Sequence, residues 1–378
     1  MFAWPETGPT AVDSCDVLIV GGGPAGSSCA TRLRAAGVDV LVVDRASFPR
    51  DKPCAGWITP ATLQALDVSA AEYGDGRTLQ PFTGFRTGML GGPWVETHYG
   101  EPVSFGVLRR ELDDFLLRRS GARFRGGTPV TRLRRCGQHW VVNDEIRTPL
   151  VVGAGGHFCP VARLLNGFGD ATSVVIAQAA ELPMDARLRS ACKVRPEVPQ
   201  LYFSRDLRGY GWCVRKGDFL NVGLGRRGHG GLKQHVREFL GSLGDTGELS
   251  GALAAAWRGH AYALYEGVPR RLGDDGVLLL GDAAGLAAPA SGEGIRPAIE
   301  SGQLAAAAIL EADGRYGREC LESYSRAIEV RFGRRQRRIP LLTLPLAALA
   351  PHLLASRWLA RHVILDRWFL QPPRAAAA

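Results

Sequence analysis

The chain has 378 residues, of which 46% are hydrophobic and 22% are charged, and its formal net charge is +9. This length and composition are typical of a folded protein with two structural lobes and exclude a disordered chain. The arginines that carry most of the positive charge are scattered and accompany no nucleic-acid-binding motif, so we do not expect nucleic acid as a partner.

The cysteines and histidines show no spacing typical of metal ligands. None of the eight cysteines forms a CxxC pair, so we expect no metal and reduced thiols. Residues 1–13 lack a basic region followed by an apolar core, and no apolar run has the roughly 18 residues that a membrane-spanning helix needs. The sequence therefore predicts a cytoplasmic protein.

A glycine turn near the N-terminus is the first motif that predicts a ligand. The apolar run 17–20 leads into it, a helix-compatible segment follows, and a second apolar run ends at Asp44. In such a unit Gly21 permits the tight turn, Gly23 lets a pyrophosphate approach, and Gly26 lets the helix pack on the sheet. Asp44 is placed to accept the ribose hydroxyls of an adenosine, and its charge would repel a 2′-phosphate. The pattern predicts a site for FAD or NAD.

A loop rich in proline and glycine, residues 47–60, follows the second predicted strand. Ligands of doubly wound folds bind at the carboxyl ends of the strands, so this loop can cover the cofactor with Cys54 facing it. The alternative is a plain connector with a buried cysteine.

The next segments alternate between the two predicted lobes. Residues 61–104 carry short strand-like pieces and are interpreted as an excursion into a second lobe. Helical spacing, an acidic start and a basic end predict a surface helix over 109–119. Alternation predicts a small meander over 121–143 that includes a strand at 130–133, and the apolar run 150–153 predicts a buried strand beside the first one.

Longer alternating strands are predicted beyond residue 171. They cover 173–180, 200–203, 211–214 and 219–225, and a helix is predicted over 232–243. This pattern indicates an antiparallel sheet, the form expected of a substrate lobe.

A second ligand-facing loop follows the predicted strand 276–280. The strand delivers Asp282 to a glycine-rich turn, and Gly292 and Gly294 precede a long helix that begins at Ile295. Free amides at a helix N-terminus favour an anion or a carbonyl group.

Three separated motifs together resemble the p-hydroxybenzoate hydroxylase fold of FAD-dependent oxidoreductases. They are the 21–26 turn with Asp44 and Arg45, the Gly281-Asp282 pair, and the 292–295 helix start. The resemblance implies an α/β fold with a Rossmann-type FAD-binding lobe, an antiparallel-sheet substrate lobe and a helical C-terminus. The implied domains are a discontinuous FAD-binding domain (14–60, 105–165 and 270–312), a substrate domain (61–104 and 166–269) and a C-terminal helical region (313–378).

The resemblance also implies which residues bind FAD. Asp282 would hydrogen-bond the ribityl chain, Arg109 would touch the phosphate and ribityl region, and the backbone of Val130 would meet the adenine. The full implied set is Gly21, Gly23, Pro24, Ala25, Gly26, Asp44, Arg45, Ala55, Gly56, Arg109, Val130, Asp282, Gly292, Gly294 and Ile295.

Two further motifs resemble the geranylgeranyl reductase branch of that fold. Residues 52–56 are similar to its Lys-Pro-Cys-Gly-Gly loop, with Ala55 as a departure. Tyr210, Trp212 and Lys216 match its Tyr-x-Trp-x-Phe-Pro-Lys segment. Val214 and Arg215 replace the Phe and Pro of that segment. Alternation puts Tyr210 and Trp212 on one face of a strand, where they either fill core or shape a pocket. The resemblance favours the pocket, so the catalytic candidates are Cys54, for gating or proton delivery, with Tyr210 and Trp212.

The branch implies an enzyme that passes hydride from reduced FAD to a carbon–carbon double bond of a largely apolar substrate. NAD(P)H, a ferredoxin or another protein would supply the electrons. A flavin-dependent monooxygenase that uses NAD(P)H and O2 on an apolar or aromatic substrate is the alternative. Residues 153–156 are similar to a Gly-Ala-Asp-Gly turn of this fold, whose aspartate is associated in the hydroxylases with binding flavin and reduced nicotinamide. Gly155 replaces that aspartate here, which weakens the assignment of a simple NADPH-dependent hydroxylase. A non-catalytic flavoprotein is a third hypothesis, and Tyr210 in place of the first Trp of the halogenase motif disfavours a halogenase.

The C-terminal segment has two interpretations. A basic run, 331–338, precedes an apolar run broken by prolines, 339–350, and Trp358, Trp368 and Phe369 follow. A helix lying on a membrane surface would make the protein membrane-associated through peripheral contact. The other interpretation is a helical cap that closes an apolar channel in the substrate lobe.

Overall fold

The computed structural model describes residues 13–167, 174–228, 231–245, 257–266, 270–334 and 354–370. The described strands are β1 (Asp13–Ser14), β2 (Val17–Val20), β3 (Val40–Val43), β4 (Trp57–Ile58), β5 (Leu79–Phe82), β6 (Gly84–Met89), β7 (Trp94–His98), β8 (Ser104–Val107), β9 (Arg123–Arg125), β10 (Leu133–Cys136), β11 (His139–Val142), β12 (Ile146–Thr148), β13 (Leu150–Gly153), β14 (Val174–Pro183), β15 (Gln200–Phe203), β16 (Gly209–Lys216), β17 (Phe219–Arg227), β18 (Arg258–Ala263), β19 (Gly273–Asp274) and β20 (Val277–Leu279). The helices are α1 (Pro24–Ala35), α2 (Pro60–Leu66), α3 (Ala70–Gly74), α4 (Arg109–Arg119), α5 (Pro160–Asn166), α6 (Ala186–Ala191), α7 (Leu232–Asp245), α8 (Gly281–Ala284), α9 (Ile295–Ala312), α10 (Glu322–Phe332) and α11 (Arg357–Leu359), followed by a π-helix (Ala360–Leu370).

A six-stranded sheet forms the centre of the first lobe, in the order β19-β20-β13-β2-β3-β9. β2 pairs in parallel with β3 and with β13, which confirms the predicted place of the 150–153 strand. Every residue of β2, β3 and β13 is buried. Strands covered on both faces need such continuous apolar runs, and the sequence supplies them.

Helices α1 and α9 pack closely on one another beside this sheet. A Cβ atom on Gly302 would lie 2.3 Å from the Ala25 carbonyl oxygen, so only glycine fits that crossing. A Cβ on Gly26 would lie 2.0 Å from the Gly21 carbonyl oxygen, which explains how α1 approaches the turn that precedes it. The cofactor turn therefore rests on two contacts that exclude any side chain.

The second lobe is built on a seven-stranded sheet in the order β18-β14-β17-β16-β15-β6-β7. The predicted strands appear in β14 to β17, and the predicted helix appears in α7. The sheet is not fully antiparallel, because β15 pairs in parallel with β6. β6 and β7 form a hairpin that precedes α4 in the chain, and this hairpin joins the edge of a sheet whose other five strands come much later.

The predicted character of residues 61–104 is wrong in its first part. Thr59 and Thr62 form a capping box with Pro60 at the first helical turn, and α2 and α3 follow. These helices pack in a cluster with α4 and α9 that includes Leu63, Tyr73 and Ile299. The chain therefore stays against the first lobe until β5.

The predicted strand at 130–133 is also wrong, because β10 begins only at Leu133. The Asn143 side-chain oxygen accepts hydrogen bonds from the amides of Thr131 and Arg132, at 2.9 and 3.2 Å. The Asn143 side chain thus accepts hydrogen bonds from backbone amides that would otherwise donate to a neighbouring strand.

The described part of the C-terminal segment covers the second lobe. Leu354, Ile364, Leu365 and Phe369 are buried in a cluster with residues of the seven-stranded sheet. This packing supports the helical-cap interpretation for residues 354–370. The end of the basic run and the apolar run 339–350 lie outside the described residues, so membrane contact through them stays a prediction. Among the helices that the structure describes, none is both long enough and apolar enough to cross a membrane.

The α1–α9 contact can be tested with Gly302→Ala. We expect the free energy of unfolding to fall by about 1–3 kcal/mol, because the new methyl group must displace backbone. Gly241→Ala is the matched control, since a Cβ there meets no atom within 4 Å and Gly241 lies on the exposed side of α7. It should leave stability unchanged or raise it by up to about 1 kcal/mol. Urea unfolding measures both, and equal effects would contradict the proposed close contact.

Candidate active site

A cavity of about 790 Å³ lies between the two lobes. Its walls come from the ends of β2 and β3, the loop before β4, the start of α4, three strands of the seven-stranded sheet and the turn before α9. Most of the residues expected to bind FAD lie on these walls: Gly21, Gly23, Pro24, Ala25, Asp44, Arg45, Ala55, Arg109, Val130, Asp282, Gly292, Gly294 and Ile295. Cys54, Tyr210 and Trp212 lie there too.

Two residues of the expected set are not on the cavity wall. Gly26 lies behind the turn, where it allows α1 to pack. Gly56 has a φ of +65°, and a Cβ there would lie 2.1 Å from the Val107 oxygen and 2.6 Å from Lys216 Nζ. The positive φ and the close Val107 carbonyl therefore both favour glycine at position 56, which also leaves space for the buried Lys216.

The cradle at the first turn fits a dinucleotide. Gly21 has a φ of +115°, and a Cβ there would lie 2.4 Å from the Ala154 oxygen. A Cβ on Gly23 would meet only the Arg50 guanidinium, at 3.4 Å, so the space above this glycine stays open to a ligand. No acidic residue occupies the first turn of α1, whose amides favour phosphate. Asp44 Oδ2 accepts the Gly22 amide at 2.9 Å, which fixes the carboxylate at the edge of the cradle.

Two arginines on the cavity wall share one buried carboxylate. Arg109 donates to both oxygens of Asp113, at 2.9 and 3.0 Å, and Arg50 lies 3.2 Å from Oδ2. Burial alone would raise the pKa of Asp113, but the two guanidiniums hold that pKa below its usual range. The sequence predicted Arg109 and missed Arg50, although Arg50 lies in the loop assigned to the cofactor.

Asp282 is ionised although it is buried. Lys52 Nζ and His260 Nε2 lie 3.7 and 3.6 Å from its Oδ2. Burial would raise the pKa of Asp282, yet the Lys52 ammonium and the His260 contact hold it well below its usual range. Burial lowers the pKa of His260 in spite of Asp282, so this ring is neutral at neutral pH. A buried carboxylate here can accept hydroxyl groups of a ligand.

His260 and Tyr262 were not among the predicted site residues, although both line the cavity from β18. The sequence did hold a signal for them. They are two positions apart in an alternating strand, so their side chains share a face.

An aromatic chamber, formed by Trp57, Tyr210, Trp212 and Phe369, makes the other end of the cavity. The Tyr210 and Trp212 rings lie 6.0 Å apart, as the predicted shared face requires. Phe369 stacks on Trp57 at 5.2 Å and meets the edge of Tyr210 at 5.4 Å. The Tyr210 hydroxyl donates to the Ser291 carbonyl oxygen at 2.6 Å. The chamber can hold an apolar group and exclude water from it.

A buried polar network fixes Trp212 from behind. The Trp212 indole donates to Asn221 Oδ1 at 2.7 Å, and Asn221 donates to Glu181 Oε1 at 3.1 Å. Glu181 forms an ion pair with Lys216, whose Nζ also donates to the Val107 oxygen at 3.1 Å. Lys216 is fully buried. The network therefore connects the chamber wall to the strand that precedes α4.

Comparisons with known proteins agree with this geometry. Residues 14–71 match the model of the FAD binding domain family. A menaquinone reductase of Mycobacterium tuberculosis is 30% identical over 324 residues, which cover 78% of this chain and 76% of that protein. Digeranylgeranylglycerophospholipid reductase 3 of Methanosphaera stadtmanae is 26% identical, and the match covers 86% of this chain and 85% of that protein. The crystal structure of a geranylgeranyl bacteriochlorophyll reductase-like protein of Thermoplasma acidophilum has a TM-score of 0.69 at 22% identity, covering 90% of this chain and 88% of that one.

The contribution of the Lys216 network can be measured with Lys216→Met. Removing the ammonium leaves Glu181 without its ion pair, so we expect a loss of about 3 kcal/mol in the free energy of unfolding. The second change Glu181→Gln should recover part of this loss. Lys233→Met, at an exposed position of α7, is the control and should change stability by less than about 0.5 kcal/mol. Equal small changes in both lysine variants would show that the network does not stabilise the fold.

Proposed function

Because this chain belongs to the geranylgeranyl reductase family of FAD-dependent oxidoreductases, we propose that it reduces a carbon–carbon double bond in a largely apolar substrate. The observation that carries the proposal is the aromatic chamber directly beside the cofactor cradle in one cavity. Quinones and prenyl lipids, the substrate classes that the relatives' names indicate, combine double bonds with large apolar surface. Transfer of such an apolar group from water into an aromatic pocket is favourable in free energy.

FAD, when bound, supplies the hydride. The work of the chain is to bind, orient and exclude water. Asp282 is the proposed acceptor for the ribityl hydroxyls, and Arg109 and Arg50 offer positive charge to the phosphates. Because Tyr210 is tied to Ser291, its ring stands as a fixed wall against which a flat substrate group can rest.

Cys54 lies where the cradle meets the chamber. Its sulfur accepts the Gly56 amide at 3.3 Å. We propose that Cys54 gates the passage between the two parts of the cavity or delivers a proton. NAD(P)H is the proposed electron donor, and a protein donor is the alternative.

The proposed reaction is tested by reducing the bound flavin with dithionite under argon and then adding unsaturated quinones or prenyl diphosphates. We expect substrate-dependent reoxidation without oxygen, together with a product heavier by two hydrogen atoms in mass spectrometry. If reoxidation requires oxygen and the product gains an oxygen atom, the enzyme is a monooxygenase. If FAD binds but no substrate stimulates its reoxidation under argon or in air, the result supports the hypothesis of a non-catalytic flavoprotein.

The role of Asp282 is tested by Asp282→Asn. A charge-assisted hydrogen bond contributes about 1.5–3 kcal/mol, so FAD should bind the variant at least about tenfold more weakly. Asp313→Asn is the control, because Asp313 is exposed at the end of α9 and asparagine tolerates its positive φ of 45°. Quenching of flavin fluorescence during titration of the apoprotein gives both affinities. An unchanged affinity in Asp282→Asn would exclude the proposed contact.

A further inference from the structure

Four residues form a row along one side of the cavity, one from each of four neighbouring strands of the second sheet. His260 on β18 pairs with Ala177 on β14, and Ala177 pairs with Gly225 on β17. Gly225 pairs in turn with Tyr210 on β16. Residues paired across strands share a face of the sheet, and His260, Ala177 and Tyr210 line the cavity. Since neighbouring strands lie roughly 4.8 Å apart, this cross-strand row is about 14 Å long.

The cross-strand row joins the two ends of the cavity. At the β18 end, His260 Nε2 lies 3.6 Å from Oδ2 of Asp282, the proposed acceptor for the ribityl hydroxyls. At the β16 end, the Tyr210 ring meets the Phe369 ring at 5.4 Å. Between the two ends the row carries only the methyl group of an alanine and a glycine. An extended apolar chain that lies along the row therefore runs from the cofactor end of the cavity to Phe369.

The Phe369 ring is held in place by other aromatic rings. It stacks on Trp57 at 5.2 Å and meets the edge of Phe203 at 6.5 Å, in addition to its contact with Tyr210. Trp57 is itself stacked on Phe85 at 4.9 Å. Aromatic pairs at such distances stabilise a structure beyond the area that they bury. The ring is therefore a fixed wall of the chamber.

The chamber ends at the Phe369 ring. Of the described cap residues, 354–370, Phe369 alone lines the cavity. Ile364, Leu365 and Phe203 are buried in the same cluster as Phe369, and none of the three lines the cavity. Because protein interiors are close-packed, removal of the ring would extend the chamber into this cluster. Such a space, lined by apolar side chains, stays dry and takes an apolar group.

We propose that Phe369 selects which double bond of a prenyl chain is reduced. This rests on the proposed function. A diphosphate head group would lose its hydration in the aromatic chamber, so the apolar end of the chain enters it. That end stops at Phe369, and the length of the cross-strand row fixes which double bond lies at the cofactor end. One carbon of that bond gains the hydride that reduced FAD supplies, the other gains a proton drawn from solvent, and the flavin is oxidised by two electrons.

The first test compares two chain lengths in the wild-type holoenzyme. The flavin is reduced with dithionite under argon, farnesyl or geranylgeranyl diphosphate is added, and fragmentation in a mass spectrometer locates the added hydrogen atoms. We expect the reduced bond at the same position in both products when it is counted from the apolar end. A position that is constant when counted from the diphosphate would overturn the proposal, because the head group would then set the position of the chain.

The second test removes the wall and uses geranylgeranyl diphosphate. In Phe369→Ala the chain can slide deeper, so the reduced bond of the main product should lie one isoprene unit farther from the apolar end. Benzene, which fills a space of this kind, should return the product to the wild-type position. Phe369→Leu keeps a large buried side chain should the alanine variant not fold, and it should give the same shift in a smaller share of the product. Leu365→Ala is the matched control, because Leu365 is fully buried in the same cap away from the cavity wall, and its product should be that of the wild type.

The outcomes separate this proposal from the proposed function. The wild-type position in both Phe369 variants would show that the ring does not select the double bond, and the reductase function would stand. An equal shift in Leu365→Ala would assign the effect to loosening of the whole cap and would also overturn the role of Phe369. If a quinone is reduced and neither prenyl diphosphate is, only the selection of a prenyl double bond is wrong. A wild type that reduces no unsaturated substrate would overturn both proposals.

Discussion

The ion pair of Lys216 with Glu181 is the interaction on which the cavity depends. A fully buried ammonium must have partners, and here the carboxylate and the Val107 carbonyl satisfy it. Asn221 donates to Glu181 and accepts the Trp212 indole N–H. The orientation of the Trp212 ring in the chamber wall is therefore coupled to the backbone beside the cofactor loop. Glycine at position 56 follows from the same packing, because its φ is +65° and a Cβ there would lie 2.1 Å from the Val107 oxygen that accepts the ammonium.

The cavity separates two kinds of chemistry along its length. At the dinucleotide end, carboxylates and cations compensate one another, with Asp113 between two guanidiniums and Asp282 beside an ammonium. At the other end the walls are aromatic, and Phe369 stacks on Trp57. Charged groups can therefore hold a large polar cofactor, while the aromatic walls suit an apolar group. Glu293 lies in the turn that joins these regions, through Ser291 and Tyr210.

Features with a local signal could be predicted from the sequence, and features made by distant segments could not. The glycine turn, the apolar strands and the shared face of Tyr210 and Trp212 follow from spacing within about ten residues, and all three appear in the structure. The capping box at Thr59 is also a local signal, for the start of α2, and the alternation of His260 and Tyr262 is one for a shared strand face. The position of Phe369 in the chamber could not be predicted, because no local pattern indicates where a C-terminal aromatic ring will pack.

The contribution of Phe369 divides the walls of the cavity between two parts of the chain. The residues of the cofactor cradle all precede the end of α9, whereas one wall of the chamber comes from the π-helix. A substitution in the π-helix can therefore change the shape of the chamber and leave every residue of the cradle in place. The space open to a substrate and the contacts of the cofactor can change independently in such an arrangement.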